Sequence, residues 1–128
     1  MRGLYGQRSA CCLVLVALAA AACGGGNSSG KNLTFDEQLR KAAAQSAADV
    51  RAREFIRIAA EQFQAKDVGG AMQTVKRAQR AADEVADLST RGSVCCFGTE
   101  TLARIGHSDA AAEFIARAMS AAKGIQDI

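Results

Sequence analysis

Between residues 52 and 85, apolar and polar positions recur with the period of an α-helix. The first stretch places apolar side chains along one helix side, at Phe55, Ile58, Ala59 and Phe63. A cluster of helix-breaking residues, KDVGG at positions 66–70, interrupts this pattern. The spacing then resumes at Ala71, Val75, Ala78, Ala82 and Val85. This arrangement predicts two helices joined by a tight turn, which is a helical hairpin.

The same pattern returns 40 residues further along the chain. The apolar positions of the second helix align with Ala111, Ile115, Ala118, Ala122 and Ile125. The stretch Leu88–Gly92 is then expected to be the loop between two hairpins, and Gly106–Asp109 the turn of the second one. Ser108 or Asp109 is the expected cap of the last helix. The repeat predicts two helical hairpins in succession.

A further helix is predicted before the first hairpin. Thr34 and Glu37 have the spacing of a capping box, and Asp36 lies near the positive end of the helix dipole. Neither glycine nor proline interrupts residues 35–66, although Ser46 or Asp49 could cap a second helix. The sequence therefore predicts an N-terminal capping helix and leaves open whether residues 35–66 form one helix or two.

Composition strengthens the prediction of an all-α fold. Apolar residues make up 49% of the 128 residues, yet much of this is alanine, and the chain has no proline or tryptophan. Aromatic residues, which strands favour, amount to 5%. Because alanine forms helices well but fills cores poorly, we expect a marginally stable helical domain. The formal charge is +3, and charges of both signs alternate along the helices, which argues against nucleic-acid binding.

The first 22 residues have the pattern of a secretory signal. Residues 1–9 contain two arginines and no acidic residue, and residues 10–22 are uncharged and apolar. Thirteen residues span about 20 Å as a helix, whereas a bilayer core is about 30 Å thick. The segment is thus too short for a membrane span and suits the apolar region of a signal peptide, predicted at 1–22.

The residues Ala20-Ala21-Ala22-Cys23 resemble the lipobox of bacterial lipoproteins, with alanine where that family most often has leucine. The resemblance implies that Cys23 becomes the mature N-terminus and carries lipid chains that anchor the protein to a membrane. The following polar stretch, GGGNSSGKN, is a flexible tether, so residues 23–33 separate the anchor from a helical domain at 34–128. Ordinary signal peptidase could also cleave after Ala22, which leaves a plain secreted protein as the alternative. Because Gly24 is not aspartate, the resemblance favours the outer membrane, facing the periplasm, if the source is Gram-negative.

The hairpins resemble tetratricopeptide repeats. The positions that carry the resemblance are Phe55, Ile58, Ala59 and Gln62, then Ala71, Val75 and Ala78, and in the second unit Cys95, Gly98, Thr99 and Leu102, then Ala111, Ile115 and Ala118. The family's aromatic position is Gln62 or Leu102 here, and the 40-residue period exceeds about 34, which a longer loop between units would explain. A generic helical bundle is the alternative fold.

The tetratricopeptide resemblance implies peptide binding along the first helix of each hairpin. Arg53, Arg57 and Gln64 occupy the matching positions and are the candidate partner-binding residues. Two arginines one turn apart could meet an acidic peptide, whereas two solvated arginines are the plainer interpretation.

Two adjacent cysteines remain once the signal and the lipidated cysteine are set aside. Cys95 and Cys96 would lie in an oxidising compartment, where they could form an intermolecular disulfide, bind a metal or act as a redox switch; the alternative is a pair of small buried side chains. No second cysteine pair supports a metal site. His107 is the single histidine and is expected in a turn. We find no catalytic constellation, cofactor motif or small-molecule site, so an enzyme is not expected.

These observations together predict an envelope-tethered, non-enzymatic lipoprotein that acts as a protein-protein interaction or scaffold module. Its expected partners are the membrane, through Cys23, and an envelope protein or a second copy of the chain. Self-association is a hypothesis because two repeats are fewer than the three that a stable solenoid needs. The alternative is a small secreted or periplasmic structural or stress protein without a specific groove.

Overall fold

The computed structural model describes residues 33–127, and these form five α-helices with no strand among them. The helices are α1 (Phe35–Ala43), α2 (Ala48–Gln64), α3 (Val68–Asp83), α4 (Leu88–Arg104) and α5 (Ser108–Gln126). From Thr34 onward the chain forms one compact unit. The predicted signal at 1–22, Cys23 and the tether lie outside the described residues. None of the described helices combines the length and apolar character that crossing a bilayer would require.

The helices pair as two hairpins, which confirms the predicted all-α hairpin architecture. Helix α2 packs along α3, and α4 packs along α5. The hairpins stack chiefly through α2 and α4, while α1 packs against α2. The result is a row in which α1 closes one end and the second hairpin forms the other.

Residues 35–66 contain two helices, which answers the question that the sequence left open. Helix α1 begins with the predicted capping box, in which the Glu37 amide donates to the Thr34 hydroxyl at 3.3 Å and the Thr34 amide donates to the Glu37 carboxylate at 3.0 Å. Helix α2 begins after Ala47 without a side-chain cap, so neither Ser46 nor Asp49 is its N-cap.

Arg51 holds the break between α1 and α2. Its Nη1 donates to the carbonyls of Gln45 and Ser46 at 2.9 and 3.0 Å, and its Nη2 pairs with Glu84 at the end of α3. These carbonyls lie in the connection and have no partner within a helix. The connection contains neither glycine nor proline, and the Arg51 side chain stabilises the break between the two helices instead.

Both hairpin turns share one backbone motif, 40 residues apart. The Asp67 amide donates to the carbonyl of Gln62, and the His107 amide donates to that of Leu102, each at 2.9 Å. The residue before each of them, Lys66 and Gly106, has a positive φ of 67° and 87°. This is a Schellman motif, in which a left-handed residue ends the helix. The 40-residue repeat of the sequence is therefore also present in the structure, as two turns with the same backbone hydrogen bonds.

The connection between the hairpins is shorter than the sequence suggested. Leu88–Gly92 is the first part of α4, not a loop, and the connection comprises residues 84–87. The Asp87 carboxylate caps α4 by accepting from the amide and hydroxyl of Thr90 at 2.7 and 2.6 Å, which lowers the pKa of Asp87. A longer loop between the units therefore does not account for the 40-residue period. The prediction that Ser108 or Asp109 caps α5 is also wrong, since the N-cap is His107 and makes no side-chain cap bond.

The core is small and centres on the contact between the hairpins. Its largest fully buried side chains are Phe114, Ile56, Ile58, Leu102, Val75 and Val94. Gly98 lets Phe114 and Ile56 approach closely, because a Cβ on this residue would lie 2.9 Å from Cγ of Phe114 and 3.1 Å from Cδ1 of Ile56. The space that a side chain on Gly98 would occupy is thus filled by Phe114 of α5 and Ile56 of α2.

The predicted apolar register of the last helix is only partly right. Ala111 is buried and Ala118 is half-buried, but Ile115, Ala122 and Ile125 are exposed. Helix α5 instead buries Phe114 and Ala121, among others. The reason is its position at the end of the row: each of α3 and α5 packs mainly on its hairpin partner, but α3 also contacts both helices of the other hairpin, whereas α5 contacts only α3 there, among the described residues.

Candidate functional site

The predicted partner-binding residues on α2 do not form a shared cationic site. Arg57 is held by two carboxylates of its own helix, with Nη2 at 3.0 Å from Glu54 and Nη1 at 2.5 Å from Glu61. Partial burial lowers the pKa of Arg57, but the bonds and charges of Glu54 and Glu61 outweigh it and raise that pKa. Gln64 is exposed at the end of α2.

Arg53 joins the two hairpins. Its Nη2 donates to the Ser93 hydroxyl at 3.2 Å, and its guanidinium lies 5.5 Å from the centroid of the Phe97 ring. Both partners belong to α4, and the ring distance is within the range of a cation–π contact. The side chain is therefore engaged within the fold, and it makes no ion pair with a carboxylate of residues 33–127.

A second group of arginines surrounds a groove between α1 and α3. One part of the groove, about 540 Å³, is lined by Asp36, Leu39, Arg40, Ala43 and Arg77. The adjoining part, about 260 Å³, is lined by Ala43, Arg51, Phe55, Arg77, Arg80, Ala81 and Glu84. The two parts share Ala43 and Arg77, so they form one continuous feature. We call it the arginine groove and define it by these lining residues.

The arginine groove carries excess positive charge over an apolar floor. Arg51 is neutralised by Glu84, but Arg40, Arg77 and Arg80 make no ion pair with any carboxylate of the described chain. Asp36 is the remaining acidic side chain of the lining. Leu39, Ala43, Phe55 and Ala81 supply the apolar contribution. Guanidinium groups bind carboxylate or phosphate through paired hydrogen bonds, so the groove suits an anionic ligand with an apolar part.

The sequence contains only a weak signal for this groove. Arg77 and Arg80 share one side of α3 by their spacing, but Arg40 belongs to another helix. In the sequence all three look like ordinary solvated charges. Packing of α1 on α2 brings Arg40 opposite α3 and creates the groove.

The adjacent cysteines occupy different environments. Cys95 is fully buried and Cys96 is exposed, and neither is bonded to another cysteine. Burial raises the pKa of the Cys95 thiol, which makes it a poor nucleophile at neutral pH. Cys95 therefore fits the interpretation of a small buried side chain. Of the two, only Cys96 is accessible to another molecule, so the predicted intermolecular disulfide concerns Cys96.

The remaining polar residues of interest have structural roles. His107 lies at the turn of the second hairpin, as predicted, and its ring stacks on Phe63 with centroids 3.7 Å apart. Gln62, at the family's aromatic position, is buried and accepts from the Thr74 hydroxyl at 2.6 Å. Within residues 33–127, no three histidine, cysteine, aspartate or glutamate side chains are grouped so that they could hold a metal ion.

Comparisons of this chain with protein-family models, curated proteins and solved structures find no significant match. Its function must therefore be inferred from its own residues.

Proposed function

We propose that this protein is a lipid-anchored, non-enzymatic interaction module of the bacterial envelope, and that it binds an acidic segment of a partner protein in the arginine groove. The observation that carries the proposal is the set of three unpaired arginines, Arg40, Arg77 and Arg80, around an apolar floor. The tetratricopeptide-like hairpins supply the scaffold that holds these side chains.

The shape of the groove favours a peptide over a small metabolite. Sites for small molecules enclose most of the ligand surface, whereas this groove is open along its length. A segment that lies along it would place apolar side chains on Leu39 and Phe55. Its carboxylates would then meet Arg77 and Arg80. The alternative function, that of a structural or stress protein without a specific groove, predicts that no ligand binds in the arginine groove.

The partner should be captured in the groove and released by reversal of a single charge. With a photo-crosslinking amino acid at Leu39 of the full chain in its native envelope, we expect a discrete adduct to another protein. Arg77→Glu should reduce that adduct at least about tenfold, because it removes one charge-assisted contact and adds repulsion. Gel mobility and mass spectrometry of the adduct provide the measurement.

Lys76→Glu is the matched control for this experiment. It makes the same charge change on the neighbouring exposed residue, which does not line the groove, and it should leave the adduct unchanged. Equal adduct yields in wild type and Arg77→Glu would exclude the groove as the binding site. Equal losses in both variants would show that only the net charge matters.

The lipid anchor has its own test. Cys23→Ser should move the protein from the membrane fraction to the soluble fraction, because stable anchoring requires more than one acyl chain and serine accepts no thioether-linked lipid. Cys96→Ser serves as the control and should stay with the membrane. Unchanged membrane retention of Cys23→Ser, with no acyl mass on the mature N-terminus, would refute the lipobox interpretation.

A further inference from the structure

The last hairpin has an exposed apolar surface that its position in the row explains. Three of the six large apolar side chains that are exposed in the described residues lie on α5, and Ile115 and Met119 are 45% and 68% exposed. Ala122 follows on the same side of α5, and Cys96 and Ala103 are exposed on α4. We call these five residues the end face.

Every position of the end face has a buried counterpart 40 residues earlier. The counterparts are Ile56, Phe63, Val75, Gln79 and Ala82, and each is at most 5% exposed. The second hairpin contributes to their cover: Ile56 meets Gly98, Phe63 stacks on His107, and Gln79 donates to Glu113 at 2.5 Å. The equivalent face of the first hairpin is therefore covered by the second hairpin.

The end face bears no charge of its own. Between Ala110 and Ala122, helix α5 has two charged residues, Glu113 and Arg117, and both are turned towards α3. Glu113 accepts from Gln79, and Arg117 pairs with Asp83 at 3.2 Å. On α4, Glu100 lies on the same side as Cys96 and Ala103 and pairs with Arg104, so the charges beside the end face are balanced. Two copies of this face can therefore meet without net repulsion between like charges.

The opposite end of the row is already covered. Helix α1 packs on α2, and its Ala42 is buried in the core. A head-to-tail array of copies would have to displace α1, whereas a two-fold axis at the end face would pair the uncovered surfaces and leave neither exposed. The product would be a row of four hairpins in which the two central ones meet end face to end face.

We propose that a second copy of this chain occupies the end face and forms a two-fold dimer through Ile115 and Met119 of α5. Cys96 then lies at the same interface in both copies. This inference rests on the packing of the second hairpin and is independent of the arginine groove and of its ligand.

Sedimentation velocity of the detergent-solubilised full chain tests this dimer. We expect wild type to be a dimer at micromolar concentrations and Met119→Glu to be a monomer, with the dissociation constant raised at least about tenfold because two carboxylates become buried. Met72→Glu is the matched control: Met72 is exposed on α3, outside the end face, and this variant should remain dimeric. All three proteins should keep the same helical circular dichroism, because both methionines are exposed.

A bis-maleimide crosslinker, applied to two isotopically distinct copies of the chain, locates the interface. An adduct that joins Cys96 of one copy to Cys96 of the other supports the proposal, and Cys96→Ser should abolish it. A monomeric wild type, an equally dimeric Met119→Glu, or a dimer without this adduct would overturn the proposal. Binding of a different envelope protein by monomers at these residues would overturn it as well.

Discussion

Phe114→Ala should destabilise the domain by about 3–5 kcal/mol, the usual cost of removing a fully buried phenylalanine. Phe114 has no exposed surface and is the largest of the fully buried side chains. It packs over Gly98, whose missing side chain cannot fill the space left behind. In a core made largely of alanine, few neighbours can move in to close the cavity. Since small domains have about 5–15 kcal/mol of stability in total, this variant should be largely unfolded on warming.

Ile115→Ala is the matched control, one position further along α5. Ile115 is 45% exposed, so its truncation should change the free energy of unfolding by about 0.5 kcal/mol or less. Urea denaturation followed by circular dichroism, at a protein concentration low enough to exclude association, measures both values. The apolar pattern of the sequence favoured Ile115 as the core residue. A larger loss at Ile115 than at Phe114 would therefore support that register and contradict the structure.

Gly98→Ala should also destabilise the domain, by about 1–3 kcal/mol, although alanine is the better helix former. Helix propensity alone predicts a gain of about 1 kcal/mol for this change. The added methyl group, however, would lie 2.9 Å from Cγ of Phe114 and 3.1 Å from Cδ1 of Ile56, closer than Cβ atoms normally approach other carbons. Phe114, Ile56 or α4 itself must shift to relieve this overlap, which disturbs the packing around Gly98.

Gly69→Ala makes the same change where there is room for it. Gly69 is also helical, and a Cβ there would have no neighbour within 4 Å. We expect a stabilisation of up to about 1 kcal/mol, because the substitution reduces the freedom of the unfolded chain. Thermal unfolding of the two variants should therefore show shifts of opposite sign. Shifts of the same sign would mean that Gly98 does not lie against Phe114 and Ile56.

The two proposed surfaces lie at different parts of the row. The arginine groove involves α1 and α3, and the end face belongs to α4 and α5. A dimer formed through the end faces would leave both grooves accessible. Two grooves in one assembly would raise the apparent affinity for a partner that presents two acidic segments, without any new contact.

Part of the environment of the predicted partner-binding residues could be read from the sequence. Glu54 and Glu61 stand three and four residues from Arg57, the spacings at which side chains of one helix pair. This pattern already indicated that Arg57 is neutralised within α2. The engagement of Arg53 with Ser93 and Phe97 was not visible in the same way, because those partners come from another hairpin.

The sequence by itself determined the all-α class, the two hairpins and the capping box at Thr34, and it placed both turns to within a few residues, since residues 68–70 and 108–109, expected in the turns, are the first residues of α3 and α5. These features depend on residues within a few positions of one another, through helix period, capping bonds and left-handed turn residues. The tertiary structure decided which of Phe114 and Ile115 is buried, which arginines are unpaired, and which of Cys95 and Cys96 is accessible. Such properties depend on the neighbours that each helix has in space. The last helix has the same local pattern as α3 but buries only part of the same side: Ala111, Phe114 and Ala121 match buried residues of α3, whereas Ile115, Met119 and Ala122 are exposed because no further hairpin of the described chain covers them.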